Sequence, residues 1–449
     1  MELSTVEELI AQQKWTELRE LLNGLPLPEV AEALSNTPKA ARVLVFNFLS
    51  RTDSGELFSY LTPEIQASLL TELTDREAGE LLAKLRPDDR TGVLEELPAL
   101  AISHLLTLLG PEDRQEAEQL LGYPDESVGR LMTPDYVSVL PAWSIQRALT
   151  HIRWKGSDCE TISTIYITDE NGKLLDALEL HQFVLADPLE TVESIMDQSF
   201  TSLSAWDDRE EAVRMMQKYD LFALPVVDTN GTLLGIVTAD DVLDVAEEEA
   251  TEDIQKGAAV EPLKTSYRES GIWMLYRKRI PWLMALILVN LTASSVIAVY
   301  EEILASTLVL TFFIPMLMGS GGNTGAQAAM LMVRSLAIED LKASQWLNTA
   351  WKELAVGSTL GLTMGIGAGC IGYAWGGIVV GVGVGLAMVA VVVVSNLLGV
   401  LFPVLLTKLD IDPAVASSPM VTSTTDVTSL ILYFSIVRLV IDKLQGVGM

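Results

Sequence analysis

The feature that most limits how this chain can fold is a series of apolar stretches in its second half. Five of them follow the basic triplet Arg277-Lys278-Arg279, at 280–300, 303–336, 354–375, 377–406 and 416–441. About twenty apolar residues are enough to cross a bilayer as a helix. In lipid the backbone of such a segment must satisfy its own hydrogen bonds, so helices are expected. The last stretch, ASSPMVTSTTDVTSLILYFSIVRLVI, is unusual because Asp426 stands among serines and threonines. A carboxylate at membrane depth costs about 3 kcal/mol on insertion scales, so one that persists faces a pore, a partner or an ion. Asp426 is therefore read as a cation site in a membrane pathway. A pairing with Arg438 inside the bundle is the structural alternative.

Charge is placed unevenly along the 449 residues. From Tyr276 onward there are nine basic and nine acidic residues, so the whole net charge of −30 belongs to residues 1–275. An acidic soluble half repels nucleic acid and attracts cations. Only Cys159 and Cys370 are present, in different regions, so neither a disulfide framework nor a CxxC site is expected. His104, His151 and His181 show no ligand spacing. No nucleophile–base pair, nucleotide loop or metal-hydrolase spacing is present, which argues against an enzyme. The start, MELSTVEELIAQQ, lacks a basic n-region and a continuous apolar core, so it reads as no signal peptide and leaves the acidic half in the cytoplasm. Arg277, Lys278, Arg279, Arg334, Lys342, Lys352 and Lys408 then lie inside, against Arg438 and Lys443 outside. That distribution follows the positive-inside rule and puts the C-terminus outside.

Two internal repeats organise the acidic half. Residues 1–127 show leucines at helical spacing, and Leu61-Thr-Pro-Glu recurs as Leu85-Arg-Pro-Asp, with a looser copy from Leu34 to Pro38. Short helical hairpins stacked as a solenoid fit this pattern. Residues 128–250 repeat a different unit. Leu131-Met-Thr-Pro and Ile195-Met-Asp-Gln each lead into an extended segment and a helix, then an apolar run ending in Asn-Gly, the signal of a strand–turn–strand hairpin. These residues resemble a pair of CBS modules. The resemblance implies that Thr238 and Asp241, the ends of a Thr-x-x-Asp motif, hold the ribose of ATP or another adenine nucleotide. The first copy has Glu179-Leu-His-Gln182 there, without Thr or Asp.

Residues 240–256 follow as one helix with eight acids and a single lysine. Asp241, Asp244, Glu248 and Glu252 recur at three- or four-residue spacing, which stacks like charges on one face. Clustered carboxylates suit hard divalent cations. In the second apolar stretch, Pro315-Met-Leu-Met-Gly-Ser-Gly-Gly-Asn-Thr-Gly325 predicts a broken helix whose freed carbonyls line a cavity. Close helix packing is the other use of such glycines, expected more for Gly357, Gly361, Gly365 and Gly369. Thr422, Asp426 and Ser429 fall on one helical face. One carboxylate with a few neutral oxygens can hold a cation that keeps most of its water, as magnesium prefers.

Taken in order, the chain resembles the MgtE family of magnesium channels and transporters over essentially its full length. Gly321-Gly-Asn-Thr-Gly325, Asp412-Pro-Ala, Ser418-Pro-Met-Val and Thr425-Asp-Val-Thr428 carry the resemblance. It implies a multi-domain fold: an α-helical N-terminal solenoid domain (1–127), an α/β tandem CBS domain (128–247), an acidic connecting or plug helix (248–274) and a five-helix α transmembrane domain (275–449). The implied function is magnesium-selective transport through a homodimeric pore in the plasma membrane, gated by cytoplasmic Mg2+. Asp426 would hold the pore ion and Thr422 would offer its backbone carbonyl. Sensor cations would fall to Glu56 and Asp88, to Asp208, Glu210, Asp220, Asp241 and Asp244, to Glu249, Glu252 and Asp253, and to Asp412. Gly92, Ala326 and Ser429 depart from the family pattern. A nucleotide-sensing membrane receptor or scaffold without transport is the competing reading, and transport of manganese or cobalt a variant of the first.

Overall fold

The computed structural model describes residues 9, 12, 14–37, 42, 43, 46, 54–263, 267, 270–337, 346–409 and 411–445. The chain divides into two units, Met1–Glu248 and Glu249–Met449, taken in turn.

Short helices open the first unit, and proline sets their phase. Pro63, Pro87 and Pro111 each start a helix: Pro63–Glu72, Pro87–Glu95 (α1) and Pro111–Leu120. Proline suits this position because its φ is already helical and its missing N–H has no partner to lose. Leu61, Leu85 and Leu109, two residues before each proline, are buried in a common core. The expected repeat is therefore present, and it continues one copy further, at Leu109-Gly-Pro-Glu112, than the sequence reading followed it. The looser copy ending at Pro38 falls partly outside the described residues; the helix Leu27–Asn36 ends before it. Between copies, Asp75–Leu82 begins with a capping box, in which Glu77 N–H donates to Thr74 Oγ1 at 3.4 Å and Thr74 N–H donates to Glu77 Oε2 at 3.0 Å.

Two three-stranded sheets of identical topology follow. In the first, β1 (Ser138–Val139) runs parallel to β2 (Thr164–Thr168), which pairs antiparallel with β3 (Leu174–Glu179). In the second, β4 (Leu203–Ser204), β5 (Ala223–Val227) and β6 (Leu233–Thr238) repeat that order. Both hairpins turn at the expected Asn-Gly, with Gly172 at φ 81° and Gly231 at φ 83°, where glycine avoids strain. The two turns are built alike. Asp169 Oδ1 accepts the N–H groups of Asn171 and Lys173 at 2.8 and 2.9 Å; Asp228 Oδ1 accepts those of Asn230 and Thr232, both at 2.8 Å. The hairpins then clasp one another: Leu174 N–H donates to Gly231 O at 3.0 Å, and Leu233 N–H to Gly172 O at 2.9 Å. Helix α2, Ala239–Gly257, leaves the second sheet. It matches the acidic stretch 240–256 closely but stops well short of residue 274. Ala259 has φ 57°, and the next helix among the described residues starts at Ile272.

Among the described residues, the second unit holds four long helices: α3 (Ile272–Val299), α4 (Ile314–Ala337), α5 (Trp346–Lys408) and α6 (Ser418–Gln445). By length and composition α3, α5 and α6 can cross a membrane. At 63 residues α5 would be roughly 95 Å long if straight, about three times the hydrocarbon thickness. It is interrupted at Gly377, whose φ of 77° and ψ of −170° belong to a region open essentially to glycine alone. The arms 346–376 and 378–408 fold back on each other through glycines; a Cβ on Gly365 would lie 2.8 Å from Gly385 O. The third and fourth stretches read from the sequence are these two arms.

The expected break within Pro315–Gly325 is absent. Helix α4 is continuous from Ile314, and the long second stretch is interrupted earlier, by the helix Glu301–Ser306, Thr307 and a 3-10 turn Leu308–Phe313. Pro315 sits in the first turn of α4, where it removes no helical hydrogen bond. Gly321, Gly322 and Gly325 are pressed by neighbouring helices, which supplies in packing what they lose in propensity, whereas Gly319 faces open space.

Candidate cation sites

The α4–α6 seam positions the membrane candidates. A Cβ on Gly322 would come 2.7 Å from Thr422 Cγ2, and one on Gly321 would come 2.6 Å from Ser429 Oγ. Gly325 similarly faces Val421 and Thr425, each at 3.1 Å. Asp426 lies between Thr422 and Ser429 on their face of the helix. The glycines flagged for a broken pore backbone thus serve close approach instead. Asp426 is half-buried, and among the described residues its carboxylate has neither a hydrogen bond nor an ion pair. The alternative pairing with Arg438 is not formed. Thr422 O already accepts Thr425 Oγ1 at 2.9 Å, so the carbonyl assigned to the ion has a second donor besides the helix N–H. Ala326 is half-buried on α4 beside Gly325. One more polar pair is part-buried: Asn396 Nδ2 donates to Glu353 Oε2 at 2.6 Å and to Glu353 O at 2.9 Å, joining the two arms of α5.

A second group forms before α6. Asp412 caps the short turn Pro413–Val415, its Oδ1 accepting Ala414 N–H at 2.8 Å. Its Oδ2 accepts Lys256 Nζ at 2.6 Å, and Lys256 also pairs with Glu252 one turn back on α2. Partial burial works against the ammonium, but the hydrogen bonds to Asp412 and Glu252 outweigh it and hold the Lys256 pKa above its usual value. Burial raises the Asp253 carboxyl, and the Asp412 charge raises it further. Three of the expected sensor residues are therefore brought together here, around a cation the chain supplies itself. Sequence reasoning missed Lys256, although it was the single lysine on an acidic helix. Glu249 lies half-buried on the same helix.

In the first unit, α1 brings Asp88 and Asp89 against the start of α2. Burial and the neighbouring Asp89 push Asp88 up to about 7. Burial and the facing Asp88 push Asp241 up to about 8, against the Thr238 hydroxyl that donates to Asp241 Oδ2 at 2.9 Å. Asp88 Oδ1 is buried without a hydrogen-bond partner. Asp89 is raised by burial and, less, by Asp240 and Asp244. Basic residues fix α1 despite this repulsion. Buried Arg90 bonds Asp113 at 3.2 Å and pairs with Glu116, and Arg86 pairs with Glu160. Thr238 and Asp241, proposed for a ribose, are closed on each other.

Other predicted ligands are dispersed. Glu56 is exposed on the helix Ser54–Ser59, next to α1 through a Ser59–Asp89 hydrogen bond. Asp208 caps the helix Arg209–Tyr219, accepting Glu210 N–H at 2.9 Å, while Asp220 ends it with φ 53°. Those two carboxylates are thus roughly 18 Å of helix apart and cannot share an ion within one chain. Glu248 on α2 is held by Arg209 at 2.8 Å. Gly92 is exposed, with nothing within 4 Å of where a side chain would begin. Among the described residues, no three His, Cys, Asp or Glu side chains stand close enough to form a ready metal site.

Comparison with known proteins agrees with this organisation. The family model MgtE, a divalent cation transporter, matches residues 314–436; the MgtE intracellular N domain matches 25–126, and the CBS domain matches 192–248. The magnesium transporter MgtE of Thermus thermophilus is 41% identical over 332 residues, 73% of each chain. That of Enterococcus faecalis is 34% identical over 443 residues, 96% of this chain and 95% of its own. Among solved structures, the cytosolic domain of the Mg2+ channel MgtE in complex with ATP superposes with a TM-score of 0.52 at 34% identity, over 54% of this chain and all of that one. The helical N domain, paired CBS modules, acidic helix and apolar helices are those of a non-enzymatic membrane transporter, and the chain belongs to the MgtE family of divalent cation transporters.

Proposed function

We propose that this protein conducts magnesium across the plasma membrane, with Asp426 holding the ion in transit. The observation that carries this reading is a half-buried carboxylate on an apolar helix, unpaired among the described residues. A single carboxylate flanked by Thr422 and Ser429 cannot strip a small divalent cation, so the ion passes largely hydrated, which favours magnesium. The names of the relatives support the same ion. The protein acts as a homodimer, in which two Asp426 side chains flank one axis. The acidic half lies in the cytoplasm and the C-terminus outside.

Cytoplasmic magnesium closes the pathway. At low concentration Asp88 and Asp241 repel one another across α1 and α2; a bound cation removes that repulsion and stiffens the acidic unit. Glu252, Asp253 and Asp412 respond in the same way around Lys256. An adenine nucleotide binds the second CBS module once Thr238 and Asp241 part, and the ATP-bound relative supports this. The test is magnesium uptake by purified protein in liposomes. Flux that saturates with external Mg2+ and falls as internal Mg2+ rises is expected. No flux above empty liposomes, with nucleotide binding intact, would favour a receptor instead.

A further inference from the structure

The first turns of α3 turn two different faces outward and inward. Met274, Leu275 and Lys278 are half-buried, while Trp273, Tyr276, Arg277 and Arg279 are exposed. The inner face is tied to the turn that follows α2. Lys278 Nζ pairs with Glu261 at 3.4 Å, and Glu261 N–H donates to Lys278 O at 3.2 Å. Gln255 Oε1 accepts Leu263 N–H at 2.6 Å and so holds the same turn to α2. On the outer face Trp273 and Tyr276 stack, with ring centroids 5.2 Å apart and planes 18° from parallel. The helical repeat sets Arg277 and Arg279 on either side of that pair. Lys278 takes the Glu261 carboxylate, and neither arginine has an ion pair among the described residues. Steps of three and four residues carry the same face down the helix through Leu283, Ile287 and Leu291, each at least half exposed.

We propose that this outer face of α3 is a binding site for an anionic phospholipid, its phosphate held between Arg277 and Arg279 and an acyl chain lying along Leu283 and Ile287. Side chains on a helix lean toward its N-terminus, so both guanidiniums reach back from the apolar stretch to the depth of the headgroups. Tryptophan and tyrosine rings settle at that same depth. A guanidinium fork matches phosphate oxygens in shape and charge. A second copy of the chain meeting this face about a two-fold axis would crowd four guanidiniums together, whereas a negative headgroup neutralises two. A zwitterionic headgroup carries its own ammonium and gains less. The lipid and the Glu261 turn then hold the same helical turns from opposite sides.

The test uses the full chain in detergent micelles, titrated with phosphatidylglycerol or phosphatidylcholine of the same acyl chains and read by native mass spectrometry. Wild type is compared with Arg277→Gln, Arg279→Gln and Lys352→Gln, the last an exposed basic residue near the start of α5. Melting in detergent checks that each variant folds. Phosphatidylglycerol should bind more tightly than phosphatidylcholine, and lose about fivefold in affinity with either arginine but none in Lys352→Gln. Phosphatidylglycerol with brominated chains should quench the emission of wild type more than that of Trp273→Phe, which places the lipid on this face. Equal affinity for the two lipids would overturn the proposal and leave the face to a second copy of the chain. Wild-type affinity in both arginine variants, or quenching unchanged in Trp273→Phe, would overturn it as well. Displacement of the lipid by millimolar inorganic phosphate would also do so, by showing a site for free anions.

Discussion

Replacing Asp88 and Asp241 together by asparagine should make the acidic unit insensitive to both pH and magnesium. In the folded chain the two carboxylates face each other with Asp88 raised to about 7 and Asp241 to about 8, from 3.8. Such a close pair titrates as a unit that shares a proton. The unfolded chain releases that proton near pH 4, so the folded state binds more protons above it, and stability falls as pH rises until the folded pair has ionised near 7 to 8. Each pH unit in this window removes about 1.4 kcal/mol, so from pH 6 to pH 8 the loss is about 2–3 kcal/mol. Hydrogen exchange of the amides in α1 and in the first turns of α2 reports the local opening free energy. It should drop by that amount in wild type and recover at pH 8 when Mg2+ is added. The double variant should be flat with pH and indifferent to Mg2+. Equal wild-type values at pH 6 and pH 8, or an equal fall in the variant, would refute the argument.

Other expected outcomes follow from single contacts. Lys256→Met removes the ammonium between Glu252 and Asp412 and leaves their charges facing each other; melting in EDTA should show a loss of about 1–2 kcal/mol, most of it restored by millimolar Mg2+. Gly321→Val would drive a side chain into Ser429 Oγ, Val391 and Ser395 Oγ. It should lower the melting temperature and abolish uptake, because overpacking a tight seam costs about 1–3 kcal/mol. Arg90→Met strands Asp113 and Glu116 against a buried site and should cost about 3 kcal/mol, measured by chemical denaturation.

What could be read from the sequence was local. The Asn-Gly turns at 171–172 and 230–231, the bounds of α2 near 240 and 256, and the apolar stretches all depend on signals carried within a few residues. The Leu-x-Pro spacing is legible for the same reason, and the copy at Leu109-Gly-Pro111 carries the same local signal. Misreadings arose where distant residues decide. Four glycines after Pro315 look like a break, yet Val391, Ser395, Thr422 and Ser429 pack on three of them, Gly321, Gly322 and Gly325. Lys256 reads as one charge in an acidic run, and nothing local links it to Asp412, 156 residues away. Asp208 and Asp220 share a short stretch of chain, yet a helix holds them at its opposite ends. Asp426 was found because the membrane makes any carboxylate conspicuous, whereas the seam of Gly321 with Ser395 and Ser429 needed three helices in place.

The most direct test of the central claim is Mg2+ uptake by liposomes containing Asp426→Asn, which is nearly isosteric and removes only the charge. Uptake indistinguishable from empty liposomes, with unchanged folding by circular dichroism and melting, is the result expected. Uptake at the wild-type rate would show that the ion does not depend on Asp426, and would contradict the pathway built around it.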